Sequence, residues 1–167
     1  MKSLALKSLL CTCLVAAMAG CGVDANPESV VVGSSVPEFM LTSLDGTTVN
    51  SESLKGNVVV LNFWATWCQP CMSEIPELKE FAAHSKVKVV GIALDENGLN
   101  AVKPFVENHG ITYTVLLGDE DLFQRFNGLG IPYTLVLDPS QRIVKIYRGP
   151  TTKASLEADV KMIEQGT

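Results

Sequence analysis

A single α/β domain, with one mixed sheet, helices on both faces and an N-terminal β-hairpin, follows from three features of the chain. Short apolar runs of strand length alternate with segments whose apolar residues recur at helical spacing. One run, Val58-Val59-Val60-Leu61-Asn62-Phe63, is nearly continuous, as a strand covered on both faces requires. The alternation ends in two consecutive strands and a helix, which makes the sheet mixed rather than parallel. With 167 residues, 47% of them hydrophobic, the chain supports one well-filled core and is short for two.

The chain begins with a leader. Residues 1–20 read as an export signal: Lys2 and Lys7 form a basic start, Leu9 to Met18 an apolar centre and Ala19-Gly20 a small-residue end. The centre is too short to span a bilayer. Met18-Ala19-Gly20-Cys21 resembles the lipobox of bacterial lipoproteins, in which the cysteine is lipidated and becomes the first mature residue, although Met is a less usual first residue there. Ordinary cleavage after Ala17-Met18-Ala19 and an uncleaved anchor are the alternatives. Residues 21–35, rich in Gly, Asp, Asn, Pro and Ser, suit a lipid-attached tether, and residues 36–167 the folded domain. The resulting expectation is an exported, membrane-anchored lipoprotein facing the periplasm or cell envelope, in contact with the membrane through lipid only.

Within the domain, Phe39 and Leu41, the Asp45-Gly46 pair and Thr47 to Val49 predict the hairpin, with a turn that needs positive φ. Val58–Phe63 is the buried strand; its one polar residue, Asn62, reads as a hydrogen-bonded buried amide. Pro70–His84 turns helical, with Ile75, Leu78, Phe81 and Ala82 on the apolar side and a kink expected at Pro76. Val87–Leu94 is a second buried strand. Asn97–Asn108 is a second helix, stopped by Gly110, with Pro104 delaying or bending its start. Tyr113–Leu117 is a strand, Asp121–Phe126 a short helix, and Asn127-Gly128-Leu129-Gly130 a loop. Tyr133–Leu137 and Ile143–Tyr147 form a hairpin through Asp138-Pro139-Ser140-Gln141. A last helix starts near Thr152 and buries Leu156, Val160 and Ile163.

The chemistry lies in Trp67-Cys68-Gln69-Pro70-Cys71, between the first buried strand and the first helix. That order puts Cys68 at a helix start, where unpaired N–H groups and the macrodipole favour a thiolate. Two cysteines separated by two residues can close a small ring, so the second sulfur can expel whatever the first has captured. Of the five cysteines, Cys11, Cys13 and Cys21 lie in the leader segment, which leaves Cys68 and Cys71 as working thiols rather than struts of a stapled scaffold. The pair is expected to be exposed at the tip of the buried strand. Trp64, Trp67 and Tyr133 flank it, as a partly apolar surface for an extended protein segment or as core.

Together, Asn62-Phe63-Trp64-Ala65-Thr66-Trp67-Cys68-Gln69-Pro70-Cys71, Glu74-Ile75-Pro76 and Gly130-Ile131-Pro132-Tyr133-Thr134 resemble the thioredoxin superfamily, and most closely its exported, membrane-tethered TlpA/ResA-like branch of thiol-disulfide oxidoreductases. The resemblance covers nearly all of residues 36–165. It implies a thioredoxin-like fold, a redox-active Cys68–Cys71 disulfide, and a cis proline at Pro132 that leaves the Ile131 backbone free to pair with a substrate segment beside Trp67. It further implies a functional glutamate at Glu74, three residues beyond Cys71 on the same helix face; stabilisation of the helix N-terminus is the simpler reading of that acid. Asn62 departs from thioredoxin, which has a buried acid there. Glu74 near the sulfurs would oppose a thiolate and favour a reductant, acting on exported disulfide-bonded proteins and fed by a membrane-delivered electron donor. Cytochrome c maturation and general envelope redox homeostasis are the client roles that the resemblance brings.

Competing chemistries use the same residues. Two thiolates suit Cu(I), so a copper-delivery module is one alternative. A thiol peroxidase is another, although Ala65 stands where that class has a threonine. Zinc would need two further ligands, and His84 and His109, at predicted helix ends, read instead as partners of the last carbonyls. No metal or cofactor is expected. The net charge of −5, with Lys2 and Lys7 the only charges of the first twenty residues, disfavours nucleic acid as a partner.

Overall fold

A computed structural model describes residues 30–166. The leader and most of the expected tether, including Cys11, Cys13 and Cys21, lie outside the described residues. The elements are β1 (Met40–Ser43), β2 (Thr48–Asn50), a 3-10 turn (Ser51–Leu54), β3 (Val59–Trp64), α1 (Gln69–His84), β4 (Lys88–Ala93), α2 (Leu99–His109), β5 (Thr114–Leu117), α3 (Glu120–Arg125), β6 (Tyr133–Leu137), β7 (Ile143–Arg148) and α4 (Lys153–Glu164).

The strands form one sheet in the order β2-β1-β5-β4-β3-β6-β7. Strands β3, β4 and β5 run parallel, whereas β6 pairs antiparallel with β3 and β1 antiparallel with β5. The hairpin is therefore joined to the central sheet. Its turn has Gly46 at φ 87°, a conformation that glycine adopts without Cβ crowding.

Two apolar layers cover the sheet. Ile75, Leu78 and Phe81 of α1, Val102 of α2 and Leu156 of α4 pack on the face that also presents Val60 and Trp64. Leu122 and Phe123 of α3, with Phe126, pack on the other face around Leu61 and Phe63. Every residue of β3 is buried, which is why its sequence lacks alternation. Tyr133 is core as well; its ring lies 6.0 Å from Phe63 and its hydroxyl donates to the Phe126 carbonyl at 3.1 Å.

Several boundaries differ from expectation. The domain begins before Val36: Val30 is buried, Gly33 N–H donates to the Ile143 carbonyl at 2.8 Å, and Ser35 bridges Arg142. Composition alone made residues 30–35 look like tether, because their partners lie more than a hundred residues away. Pro104 lies inside α2, five residues after the helix begins, so it does not delay the start. In α4 Leu156 is buried, while Val160 and Ile163 are only half-buried and Asp159 takes an inward position. Its carboxylate accepts the Tyr147 hydroxyl at 2.6 Å.

Gly91 marks a close approach. A Cβ there would stand 2.9 Å from Trp64 Nε1 and 3.2 Å from Tyr113 Cε2. Gly91→Ala is expected to overpack this layer and destabilise the domain by about 1–3 kcal/mol. A lowered denaturant midpoint, with an unchanged slope, checks this.

Candidate active site

Cys68 is the N-cap of α1, at the end of the loop that leaves β3. Its sulfur accepts the Cys71 N–H at 3.2 Å, so a backbone donor at the helix start points at the atom expected to carry negative charge. Cys68 and Cys71 are joined in a disulfide, their Cα atoms 5.3 Å apart. The preceding loop is pinned from β4's side, where Asp95 accepts the backbone N–H and the hydroxyl of Thr66. The sequence reading missed Asp95; its only signal was a carboxylate directly after an apolar strand.

The sulfurs are more covered than the strand-tip position suggested. Cys68 keeps 4% and Cys71 1% of its surface accessible, because both residues join the apolar layer with Trp64, Ile75 and Ile131. Exposed apolar surface belongs instead to Trp67, at 67%, and to Leu129, at 91%, in the loop before Pro132. Trp64, also expected to flank the site, is fully buried.

Register brings the third motif to the same place. Phe63 pairs with Tyr133, so the chain leaving β3 towards Cys68 runs beside the chain entering β6. The Ile131–Pro132 peptide is cis. Pro132 offers its carbonyl to Gly149 N–H at 2.9 Å, whereas Ile131 has no backbone hydrogen bond among the described residues. A shallow cavity of about 310 Å³ lies here, lined by Leu129, Ile131, Pro132 and Arg148.

Glu74 is buried at 1% exposure, one turn beyond Cys71 on α1's inner face. Its carboxylate accepts from Asn62 Nδ2 at 3.0 Å, Thr134 Oγ1 at 3.2 Å and the Thr151 N–H at 3.0 Å. Burial raises its pKa above the ordinary carboxylate value, and the donors from Thr151, Asn62 and Thr134 oppose that rise. A position one turn into the helix, and bonds to three other elements, make it more than a helix-terminal charge. Asn62 is a hydrogen-bonded buried amide, as expected, and one of its bonds is to this acid. Thr134 and Thr151 were not singled out in sequence, since nothing local distinguishes a threonine that meets a carboxylate across the sheet.

His84 and His109 have their Nδ1 atoms 2.8 Å and 2.9 Å from the Glu80 and Phe105 carbonyls, in the last turns of α1 and α2. Among the described residues no cluster of three or more His, Cys, Asp or Glu is placed to hold a metal.

Because the folded state holds the Glu74 proton more tightly than the unfolded chain does, stability falls as pH rises from about 4.5 through the raised folded value. Glu74→Gln is expected to lose this slope, so that the variant gains on the wild type with increasing pH. Denaturant melts across that range test it; parallel curves for the two proteins would contradict it.

Residues 31–161 match the redoxin family. The thiol-disulfide oxidoreductase ResA of Bacillus subtilis (strain 168) is 31% identical over 148 residues, covering 86% of this chain and 82% of that one. ResA of Geobacillus thermodenitrificans (strain NG80-2) is 31% identical, covering 96% of each. Among solved structures, a thiol:disulfide interchange protein of the thioredoxin family from Chlorobium tepidum TLS aligns with a TM-score of 0.69 at 35% identity, over 80% of this chain and 97% of that one. Matched along most of its length in sequence and carrying a cysteine pair at the junction of β3 and α1, this chain belongs to the redoxin family, among the ResA-like thiol-disulfide oxidoreductases of the thioredoxin fold.

Proposed function

We propose that this protein is a thiol-disulfide oxidoreductase that reduces disulfides of exported proteins through the Cys68/Cys71 dithiol. The observation that carries the reading is a disulfide seated on the N-terminus of α1, beside Ile131, whose backbone groups make no hydrogen bond among the described residues. A client segment in extended conformation can add to Ile131 by strand pairing, with Pro132 fixing its position and Trp67 offering apolar contact.

The Cys68 thiolate attacks one sulfur of the client disulfide, forming a mixed disulfide and expelling the other client sulfur as a thiolate. Cys71 passes its proton to Glu74. Its thiolate then attacks the Cys68 sulfur, closing the Cys68–Cys71 bond and releasing the second client thiolate. Two electrons have moved from the enzyme dithiol to the client; the client thiolates take up the Cys71 proton by way of Glu74 and, from solvent, the proton that Cys68 released when it ionised. The Cys68–Cys71 bond of the structure is the product of this half-reaction, and a membrane-delivered dithiol donor restores the reduced form. The reducing direction is supported by Glu74: a buried carboxylate one turn from Cys71 disfavours a thiolate there and so makes the dithiol the better electron donor.

The leader places this chemistry outside the cytosol, with residues 1–20 removed and Cys21 lipidated as the membrane attachment. Among the described residues no helix is long and apolar enough to cross a membrane. Cytochrome c maturation and general envelope protein reduction are the candidate client roles.

Cys71→Ser is expected to accumulate covalent client complexes through Cys68, which dissolve on adding reductant. If complexes form only when Cys68 is the residue removed, the roles of the two sulfurs are exchanged. The mass of the mature N-terminus checks the anchor: a lipidated Cys21 is expected, whereas a chain starting at Gly20 would mean ordinary cleavage.

A further inference from the structure

Three donors hold the Glu74 carboxylate, and they are not equivalent. The Thr151 donor is a backbone N–H, which cannot become an acceptor. Asn62 and Thr134 contribute side-chain groups, and they are bonded to each other, Asn62 Nδ2 donating to Thr134 Oγ1 at 2.8 Å. The two residues face each other in register across β3 and β6, which places both under α1. The remaining Asn62 atom, Oδ1, is buried without a hydrogen-bond partner among the described residues. An unpaired buried acceptor normally costs stability, so its retention calls for an explanation.

The explanation lies in what Glu74 becomes when it takes a proton. The ionised carboxylate needs donors and has three. The protonated acid is itself a donor and needs an acceptor within reach. A half-turn of the Asn62 amide about its terminal torsion exchanges Nδ2 for Oδ1 and supplies one. Each orientation leaves one amide atom unpartnered, so the two differ chiefly in the charge state of Glu74 that they favour.

We propose that Asn62 is a positioning residue for Glu74, donating to the ionised carboxylate and, turned over, accepting from the protonated acid, with Thr134 as the shared partner of both. The proposal rests on the reading of Glu74 as the acceptor of the Cys71 proton. The step it governs moves no electrons: Cys71 thiol and Glu74 carboxylate become Cys71 thiolate and Glu74 carboxylic acid, and the released client thiolate later takes the proton. Among the other ionisable groups on the elements around Glu74 are Cys68 and Cys71 on its own helix, the Tyr113 phenol before β5, Tyr133 on β6 with Arg148 over its ring, and the Tyr147–Asp159 pair joining β7 to α4. Glu77, Glu80 and Lys153 lie at the α1–α4 surface.

The test follows the Glu74 titration directly, through the infrared carbonyl band of the protonated acid in the reduced protein, together with the pH profile of Cys71-dependent release of a peptide held at Cys68 by a mixed disulfide. Asn62→Leu keeps the volume but neither donates nor accepts. It is expected to raise the Glu74 midpoint by about one pH unit, because the bond lost to the charged carboxylate is stronger than the bond lost to the neutral acid, and to move the release profile equally. Thr134→Val is expected to move both in the same direction. Within a Glu74→Gln background, Asn62→Leu is expected to cause no further shift. In the wild type, the side-chain amide resonances of Asn62 are expected to move with the Glu74 midpoint, a readout that survives if the Leu variant does not fold. Unmoved midpoints in folded variants, or amide resonances flat across the titration, would overturn the role of Asn62. A release profile unaltered by Glu74→Gln would instead overturn the role of Glu74, so the two failures are distinguishable.

Discussion

Strand β3 is buried on both faces and hydrogen-bonded on both edges, and the rest of the molecule is arranged by that constraint. A strand so enclosed presents reactive groups to a partner only where it ends. At that end the chain reverses into α1, and the N-terminal N–H groups of the helix, unpaired within it, create a place where a sulfur can carry charge at low cost beside an apolar core. Cys68 occupies that position, and its sulfur already accepts a helix-start N–H. The same pairing that buries β3 brings the start of β6, and with it Pro132 and Ile131, alongside the sulfurs.

The layer beneath α1 runs against the rule that cores exclude charge. Glu74, Asn62 and Thr134 replace apolar side chains at inward positions, and the burial of Glu74 raises its proton affinity at the expense of stability at higher pH. Such a conflict between local packing and global stability is what a functional site in an otherwise consistent fold looks like. Asn62 stands between Thr134 and Gly91 in the sheet, and the absence of a side chain at Gly91 makes room for Trp64 and Tyr113. The polar patch is thus bounded by the Trp64 and Tyr113 rings on the side of Gly91.

Much of this was legible before the structure. The unbroken run of β3, the cysteine spacing after it and the helix pattern from Pro70 each rest on contacts a few residues apart, and each element lies where those local patterns put it. The roles of His84 and His109 were readable for the same reason, since a histidine in a last helical turn meets a carbonyl four residues back. Less was legible where partners are remote. The segment from Val30 to Ser35 looked like linker because its ladder runs to Arg142 and Ile143, and Asp95 went unnoticed because its partner Thr66 is 29 residues away.

Sequence alone determined the order of elements and the chemistry available at the strand-to-helix junction, which follow from short-range periodicity and spacing, and its three motifs carried the resemblance to the family. Only the tertiary structure decided how far the sulfurs are covered, which aromatic residues face solvent, and what surrounds Glu74. Those depend on strand register and on which side chains converge from β3, β6 and the β7–α4 loop, and a one-residue slip in either pairing would turn Asn62 or Thr134 to the opposite face. Register is a property of the assembled sheet, set by the packing of both faces at once, and no window of adjacent residues contains it.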